Sequence, residues 1–292
     1  MESKWKSRYN VVVPLFSLPD PPPYRLTNAP LVQALAQVRY PLVAAFETLA
    51  GVALLQELLA EGFPYMEQER VQEIAFVVGP VGPAAGSSAE TVNWKFTNDE
   101  GLLLAVSAGS ATLSAGAAYG SVSEFASAFE LLLKALAQVR IPRCDRVGVR
   151  YLSVAAESPG DDRSWRDWFR PELLGWVGSD VLEREFLSMA INQVQLTHPP
   201  RDELAGSPAD IQAVVRHGAV PAGSSLPGVP PIEVSESSYL LDIDVFVVGA
   251  QPFDPAMITD QFWQFHSQID RFFHWSLSET GKEHFELSYI EG

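Results

Sequence analysis

The 292 residues carry 20 Lys and Arg against 36 Asp and Glu, a formal net charge of −16, which argues against a nucleic-acid backbone or an anionic membrane as the main partner. Hydrophobic residues make up 47% and aromatics 11%, enough for a large core and incompatible with wholesale disorder. The single cysteine, Cys144, can form neither an internal disulfide nor a thiolate metal cluster, and with no apolar run near the length of a membrane span the expected location is cytoplasmic.

Residues 1–30 hold Pro14, Pro19, Pro21, Pro22, Pro23 and Pro30, a density that predicts an extended arm over the domain surface, pinned by Leu15, Phe16 and Tyr24. Lys4, Lys6 and Arg8 precede Val11–Val13, but Pro14 and Pro19 cut the run too short for a signal core. Leu35–Leu42 alternates as a strand, with Ala36, Val38 and Tyr40 on one side and Gln37 and Arg39 on the other. A helix carrying Phe46, Leu49, Leu54, Leu55, Leu58 and Leu59 follows and ends near Gly62-Phe63-Pro64. Gln72–Val78 reads as a strand before a Gly79–Gly86 loop. Val92–Phe96 and Leu102–Val106 flank a turn at Asn98–Gly101, and Ala111–Ala115 adds a short strand. Ser121 and Glu124 form a capping-box pair ahead of a helix whose Val122, Phe125, Phe129, Leu132, Leu136 and Val139 make one apolar stripe.

From Arg146 the pattern begins again, with Val147, Val149 and Tyr151 on one strand face and Arg150 opposite. A tryptophan-rich helix, Trp165 to Val177, is predicted behind the Ser164 cap, with Asp180 and Glu183 capping a further short piece. Ile191–Thr197 and Ile211–His217 supply strands, and the polar segments His198–Ala209 and Ala219–Ser237 interrupt them, the second being a candidate mobile loop. Tyr239, Leu241, Ile243, Val245 and Val247 then share one strand face while Asp242 and Asp244 share the other. Asp254-Pro255 starts a long helix with an apolar stripe of Ile258, Phe262, Phe265, Ile269 and Phe272, and Gly281 is the expected stop.

Side by side, residues 31–143 and 144–292 each read strand, helix, two or three strands, long helix, and their first strands share a tripeptide, Val38-Arg39-Tyr40 and Val149-Arg150-Tyr151. The expected fold is α+β: two similar β-α-β-β-β-α halves, mainly antiparallel, packed under long amphipathic helices, with an internal duplication as the origin. If the halves pair about a pseudo-twofold, their sheets join edge to edge and close two exposed strand edges.

Four stretches carry a family resemblance. Thr27-Asn28-Ala29-Pro30-Leu31-Val32-Gln33-Ala34 leading into Gln37-Val38-Arg39-Tyr40, Trp94–Gly101, Arg146–Tyr151 and Leu241–Asp244 with its helix resemble successive blocks of a sporadically distributed bacterial family of uncharacterised proteins. That resemblance implies a bacterial or phage-borne accessory protein, and it brings no catalytic residues with it. Gln33 departs from the acidic residue expected at its position.

No Walker A loop, nucleophile elbow, zincin motif or dinucleotide fingerprint is present, and no cofactor is expected. His266 and His274 stand too far apart on a helix to share a metal, so no metal site is predicted. Asp242 and Asp244 form the best carboxylate pair, either as acid–base or cation-holding groups or as the Arg-paired face of a half-buried strand, the second being favoured. Arg39 and Arg150 either bind an anion at symmetry-related positions or pair with carboxylates, Asp242 or Asp244 among them. Trp165 and Trp168 either line a contact surface or fill the core, and Trp275 belongs to an aromatic side of the last helix that would mark a contact if exposed. The leading expectation is a non-enzymatic protein-binding scaffold of the immunity, antitoxin-like or phage-defence accessory kind. Its partner is another protein; the charge leaves room for a basic one, although solubility alone is the favoured reading of that charge, and a homo-oligomer is left open. The alternative is a small-molecule sensor with a cleft between the halves.

Overall fold

The computed structural model describes residues 14–79, 82–157, 160, 162–181, 187–197, 211–226 and 232–290, the stretches 71–79 and 82–90 by their backbone. In chain order the first half runs β1 (Tyr24–Leu26), β2 (Leu31–Arg39), α1 (Leu49–Leu59), β3 (Tyr65–Gly79), β4 (Gly82–Thr97), β5 (Leu103–Val106), β6 (Ser110–Ala115) and α2 (Val122–Gln138). The second continues with β7 (Arg143–Ala156), α3 (Trp165–Trp168), α4 (Pro171–Leu174), β8 (Ala190–Thr197), β9 (Ile211–Val220), β10 (Ser225–Leu226), β11 (Ile232–Glu233), β12 (Ser238–Pro252), α5 (Pro255–Ser276), α6 (Glu279–His284) and β13 (Leu287–Tyr289).

Nine strands form one antiparallel sheet in the order β3-β4-β5-β6-β2-β7-β12-β9-β8. Its middle is the seam between the halves, where β2 and β7 pair antiparallel with Val38 opposite Val147 and Ala36 opposite Val149. Outward from that seam the order is matched. In each half the strand that precedes the long helix, β6 or β12, lies next to the first strand. All four strands expected between the two helices of the first half are present, one more than the β-α-β-β-β-α unit holds, and β3 starts earlier than expected because the polar stretch Tyr65–Arg70 extends it at the sheet edge, where most of those side chains face water. The Gly79–Gly86 loop expectation gives way to a tight hairpin: β3 runs to Gly79 and pairs with Gly82, and only Pro80 and Val81 lie outside the described residues.

Helices lie on one face. The α2 residues Phe125 and Phe129 meet Phe262 of α5, with ring centroids 6.1 and 5.8 Å apart, above the inward rows Ala34, Ala36, Val38 and Val147, Val149. Because the inward row of β12 is Tyr239, Leu241, Ile243, Val245 and Val247, both halves share a single core cluster. Asp254 caps α5 by accepting from the Ala256 N–H at 2.9 Å, with Pro255 at the first helical position. At α2 only half of the capping box forms: Ser121 Oγ accepts from the Glu124 N–H at 3.2 Å, while the Glu124 carboxylate accepts from that same hydroxyl at 2.9 Å.

Several local expectations change. The tryptophan-rich segment is broken into α3, α4 and a 3-10 turn at Gly175–Gly178, because Pro171 cannot continue the first turn. The terminal helix stops at Ser276, and Ser278 then caps α6, so Gly281 is interior. A Cβ there would collide with the Trp168 carbonyl oxygen, so this glycine serves close packing. Leu49 and Leu54 of α1 point outward. The Ala219–Ser237 segment contains the β10–β11 hairpin, whose Leu226 packs with Val220, Val234, Leu240 and Leu152 on the sheet face away from the helices. The His198–Ala209 segment and Glu183 lie outside the described residues.

Residues 14–30 run along α5. The Leu15 N–H donates to Gln268 Oε1 at 3.1 Å, the Phe16 ring meets Phe272 in a tilted contact at 4.7 Å, and Tyr24 Oη donates to Asp270 at 2.6 Å. Pairing of β1 with β13 ties the end of this segment to the end of the chain.

Candidate functional site

Period-2 alternation sends one row of each central strand to the face without helices. On that face Arg146 and Arg150 of β7, Asp242 and Asp244 of β12, Arg216 of β9, Gln33, Gln37 and Arg39 of β2, and Thr112 and Ser114 of β6 converge.

Asp242 is the hub. Its side chain is 2% exposed, and it accepts a two-pronged fork from Arg150, Nε to Oδ1 at 2.6 Å and Nη2 to Oδ2 at 2.9 Å. Arg216 Nη1 donates to the same Oδ2 at 3.2 Å and its Nε reaches Gln193 Oε1 at 2.8 Å. A carboxylate so buried is tolerated because both oxygens are held by guanidinium donors. For Arg150, burial disfavours the charge, yet the hydrogen bonds and charge of Asp242 outweigh it and hold its pKa above the ordinary value.

Asp244 accepts from Arg146 Nη2 at 2.9 Å to each oxygen, and the Arg146 guanidinium also lies 4.5 Å above the Phe246 ring. Burial pushes the Asp244 carboxyl up from its ordinary value, against the pull of Arg146. Arg146 Nη1 donates to Gln37 Oε1 at 3.3 Å, which Arg39 Nε also reaches at 3.1 Å, and Gln37 Nε2 donates to Thr112 at 3.0 Å. Gln33 Nε2 donates to Ser114 Oγ at 3.2 Å. The result is a polar lattice in adjacent hydrogen-bonded parts, one from Thr112 through Gln37 and Arg146 to Asp244, one from Arg150 through Asp242 and Arg216 to Gln193, with the Gln33–Ser114 pair beside them.

The structure thus separates the two arginines that the repeated tripeptide equates. Arg150 pairs with a carboxylate and Arg39 is exposed, bonded to Gln37 and facing Arg146 directly across the seam. Asp244 sits opposite Arg150 in register, but the long arginine leans along the strand to Asp242, and Asp244 goes to Arg146. Sequence reasoning missed Arg146 and Arg216. The usable signal for Arg146 was its parity with Arg150, two positions either side of Gly148.

The tryptophans lie elsewhere. Trp165 is buried beside Tyr239 at 5.2 Å and Trp168 is buried in a stack on His284 at 3.8 Å, whereas Trp275 is half-buried against Phe272 at 5.4 Å.

A second polar constellation lies under the helices. A cavity of about 270 Å³ at the start of α2 is lined by Glu100, Leu102, Tyr119, Ser121, Glu124 and Phe125. Behind it Tyr119 Oη meets Tyr151 Oη at 3.1 Å, and Tyr151 Oη meets His266 Nδ1 at 3.0 Å. Burial raises the Tyr151 phenol well above its ordinary value and lowers His266, so the chain is neutral near pH 7.

Among the described residues no group of three or more His, Cys, Asp or Glu is placed to hold a metal ion, and no helix is long and apolar enough to cross a membrane. The architecture is that of an α+β protein with one large antiparallel sheet, two small two-stranded ones, and helices on one face of the large sheet. Comparison with family models, with curated proteins and with solved structures gave no match to this chain.

Proposed function

We propose that this protein is a non-enzymatic protein-binding scaffold that presents the helix-free face of its sheet to another protein, in the class of accessory factors that the family resemblance implies. The observation that carries this reading is the polar lattice. Its side chains are fixed by one another before any partner arrives, which lowers the ordering cost of association. At its edge stand Arg39, with no acidic partner among the described residues, and Val248, 51% exposed, next to the half-buried Phe246. An arginine beside apolar and aromatic side chains is the composition of an energetic hot spot, and Arg39 offers a seat for a partner carboxylate. The matched strand order about the β2–β7 seam supports descent from a copied unit, with the face formed where the copies meet.

The test is affinity capture from the native host with the wild-type chain and with an Arg39→Glu, Val248→Glu double variant. A protein retained by the first and lost by the second is the expected result. Equal recovery on both would end this reading. The second reading, a small-molecule sensor, rests on the cavity at Tyr119, which is lined by first-half residues, with Tyr119 in turn reaching Tyr151 of the second half. Ligand-induced stabilisation abolished by Tyr119→Ala would support it over the scaffold.

A further inference from the structure

We propose that the β8 edge of the sheet pairs with the β8 edge of a second copy, giving a closed dimer with one continuous sheet. Among the described residues β8 bonds only to β9, along an unbroken register from Ala190 opposite Ala219 to Thr197 opposite Gln212. Eight residues in a strand offer roughly 27 Å of open hydrogen-bonding edge. Edges of this kind are normally guarded by charge, proline or a bulge. The sequence Ala190-Ile191-Asn192-Gln193-Val194-Gln195-Leu196-Thr197 has none of these, and Ile191 and Val194 are 45% and 46% exposed.

The opposite edge of the same sheet is built differently. β3 carries Glu67, Glu69 and Arg70 in exposed positions and a register irregularity between Ile74 and Phe76. One edge is protected against pairing and the other is not.

The occupant that fits is another β8. Antiparallel pairing about a twofold normal to the sheet keeps each residue's face, so the axis passes through Gln193 or Val194. In the first register Gln193 meets Gln193 and Val194 meets Asn192. In the second, Val194 meets Val194 and Gln193 meets Gln195. Both place only neutral side chains opposite one another, so no like-charge cost arises at the contact itself, even though each chain carries −16 overall. The guarded β3 edge stops growth at two, so the assembly closes instead of forming fibres.

Sedimentation velocity on the full chain from about 1 to about 100 μM tests this. Wild type is expected to dimerise, Val194→Glu and Val194→Lys each to be monomeric, and their equimolar mixture to recover the dimer. Arg39→Glu, on the face assigned above to a partner, and Glu69→Gln, on β3, leave the dimer unchanged, so failure here is distinguishable from failure of the scaffold reading. Should either Val194 variant lose its far-UV circular dichroism, Gln193→Glu and Gln193→Lys are read in the same way. A wild type monomeric throughout, a dimer that persists in the folded single variants, or a mixture that stays monomeric overturns the proposal.

Discussion

Val38-Arg39-Tyr40 stands at the end of β2, with Tyr40 just past it, and Val149-Arg150-Tyr151 lies within β7, on the two sides of one seam, and their valines point into the same core. Their arginines nevertheless have opposite fates. Beyond Arg150 lies β12, which offers Asp242 and Asp244. Beyond Arg39 lies β6, which offers Ser110, Thr112 and Ser114, none of them charged. The tyrosines differ too: Tyr40 donates to the Ser107 carbonyl at 3.0 Å, whereas Tyr151 joins Tyr119 and His266. Identical residues in matched strands acquire their chemistry from the neighbouring strand, and the neighbour is chosen by topology.

The sharpest way to break this comparison is at the arginines. Arg150→Ala leaves Asp242 buried with Arg216 as its remaining guanidinium and is expected to cost about 3 kcal/mol of stability in urea unfolding. Arg39→Ala is expected to stay within about 0.5 kcal/mol. Equal losses would show that the two tripeptides are energetically alike. A double-mutant cycle should give larger coupling for Arg150 with Asp242 than for Arg150 with Asp244.

At the tyrosines the gap narrows. Tyr151→Phe strands His266 Nδ1 and should cost about 2 kcal/mol, against about 1 kcal/mol for Tyr40→Phe, measured the same way. The caps of the two long helices are expected to be alike, with Ser121→Ala and Asp254→Ala each lowering stability by about 1 kcal/mol.

Acid sharpens the contrast from another side, since all five histidines lie in the second half. Burial lowers the pKa of His217, bonded to Tyr239 Oη at 2.8 Å, and of His266. Below about pH 6.5 the unfolded chain takes up protons at these imidazoles that the folded chain refuses. Their contribution is therefore complete above that pH and is lost as pH falls from there towards the folded values. Melting temperature followed from neutral to mildly acid pH should fall less in His266→Gln than in wild type, each relative to its own neutral value. Parallel curves would remove His266 from the account.

Much of the scaffold was legible because it rests on period and capping. The stripe Ile258, Phe262, Phe265, Ile269 and the inward row Tyr239 to Val247 lie where their spacing puts them. The Trp165–Val177 segment is not one helix because Pro171 overrides its helical aromatic spacing, and Gly281, which has the look of a helix stop, sits inside α6 because Ser278 starts a new helix before it. In the candidate site, the alternation placed Arg150, Asp242 and Asp244 on outward rows and offered the two aspartates as partners for Arg150, but not which of them it takes or that Arg146 takes the other. Strand order was not in the sequence; Arg146 could have been found by its parity with Arg150, whereas Arg216 gave no such signal.

The sequence by itself determined which side chains turn inward along each strand and helix, and how acidic the chain is, since these follow from local periodicity and composition. Only the tertiary structure decided that the halves share one sheet, that Arg150 and not Arg39 holds a buried carboxylate, and that β8 is left as an edge. Those depend on which strands lie side by side, and hydrogen bonds between strands distant in the chain leave no mark in local spacing.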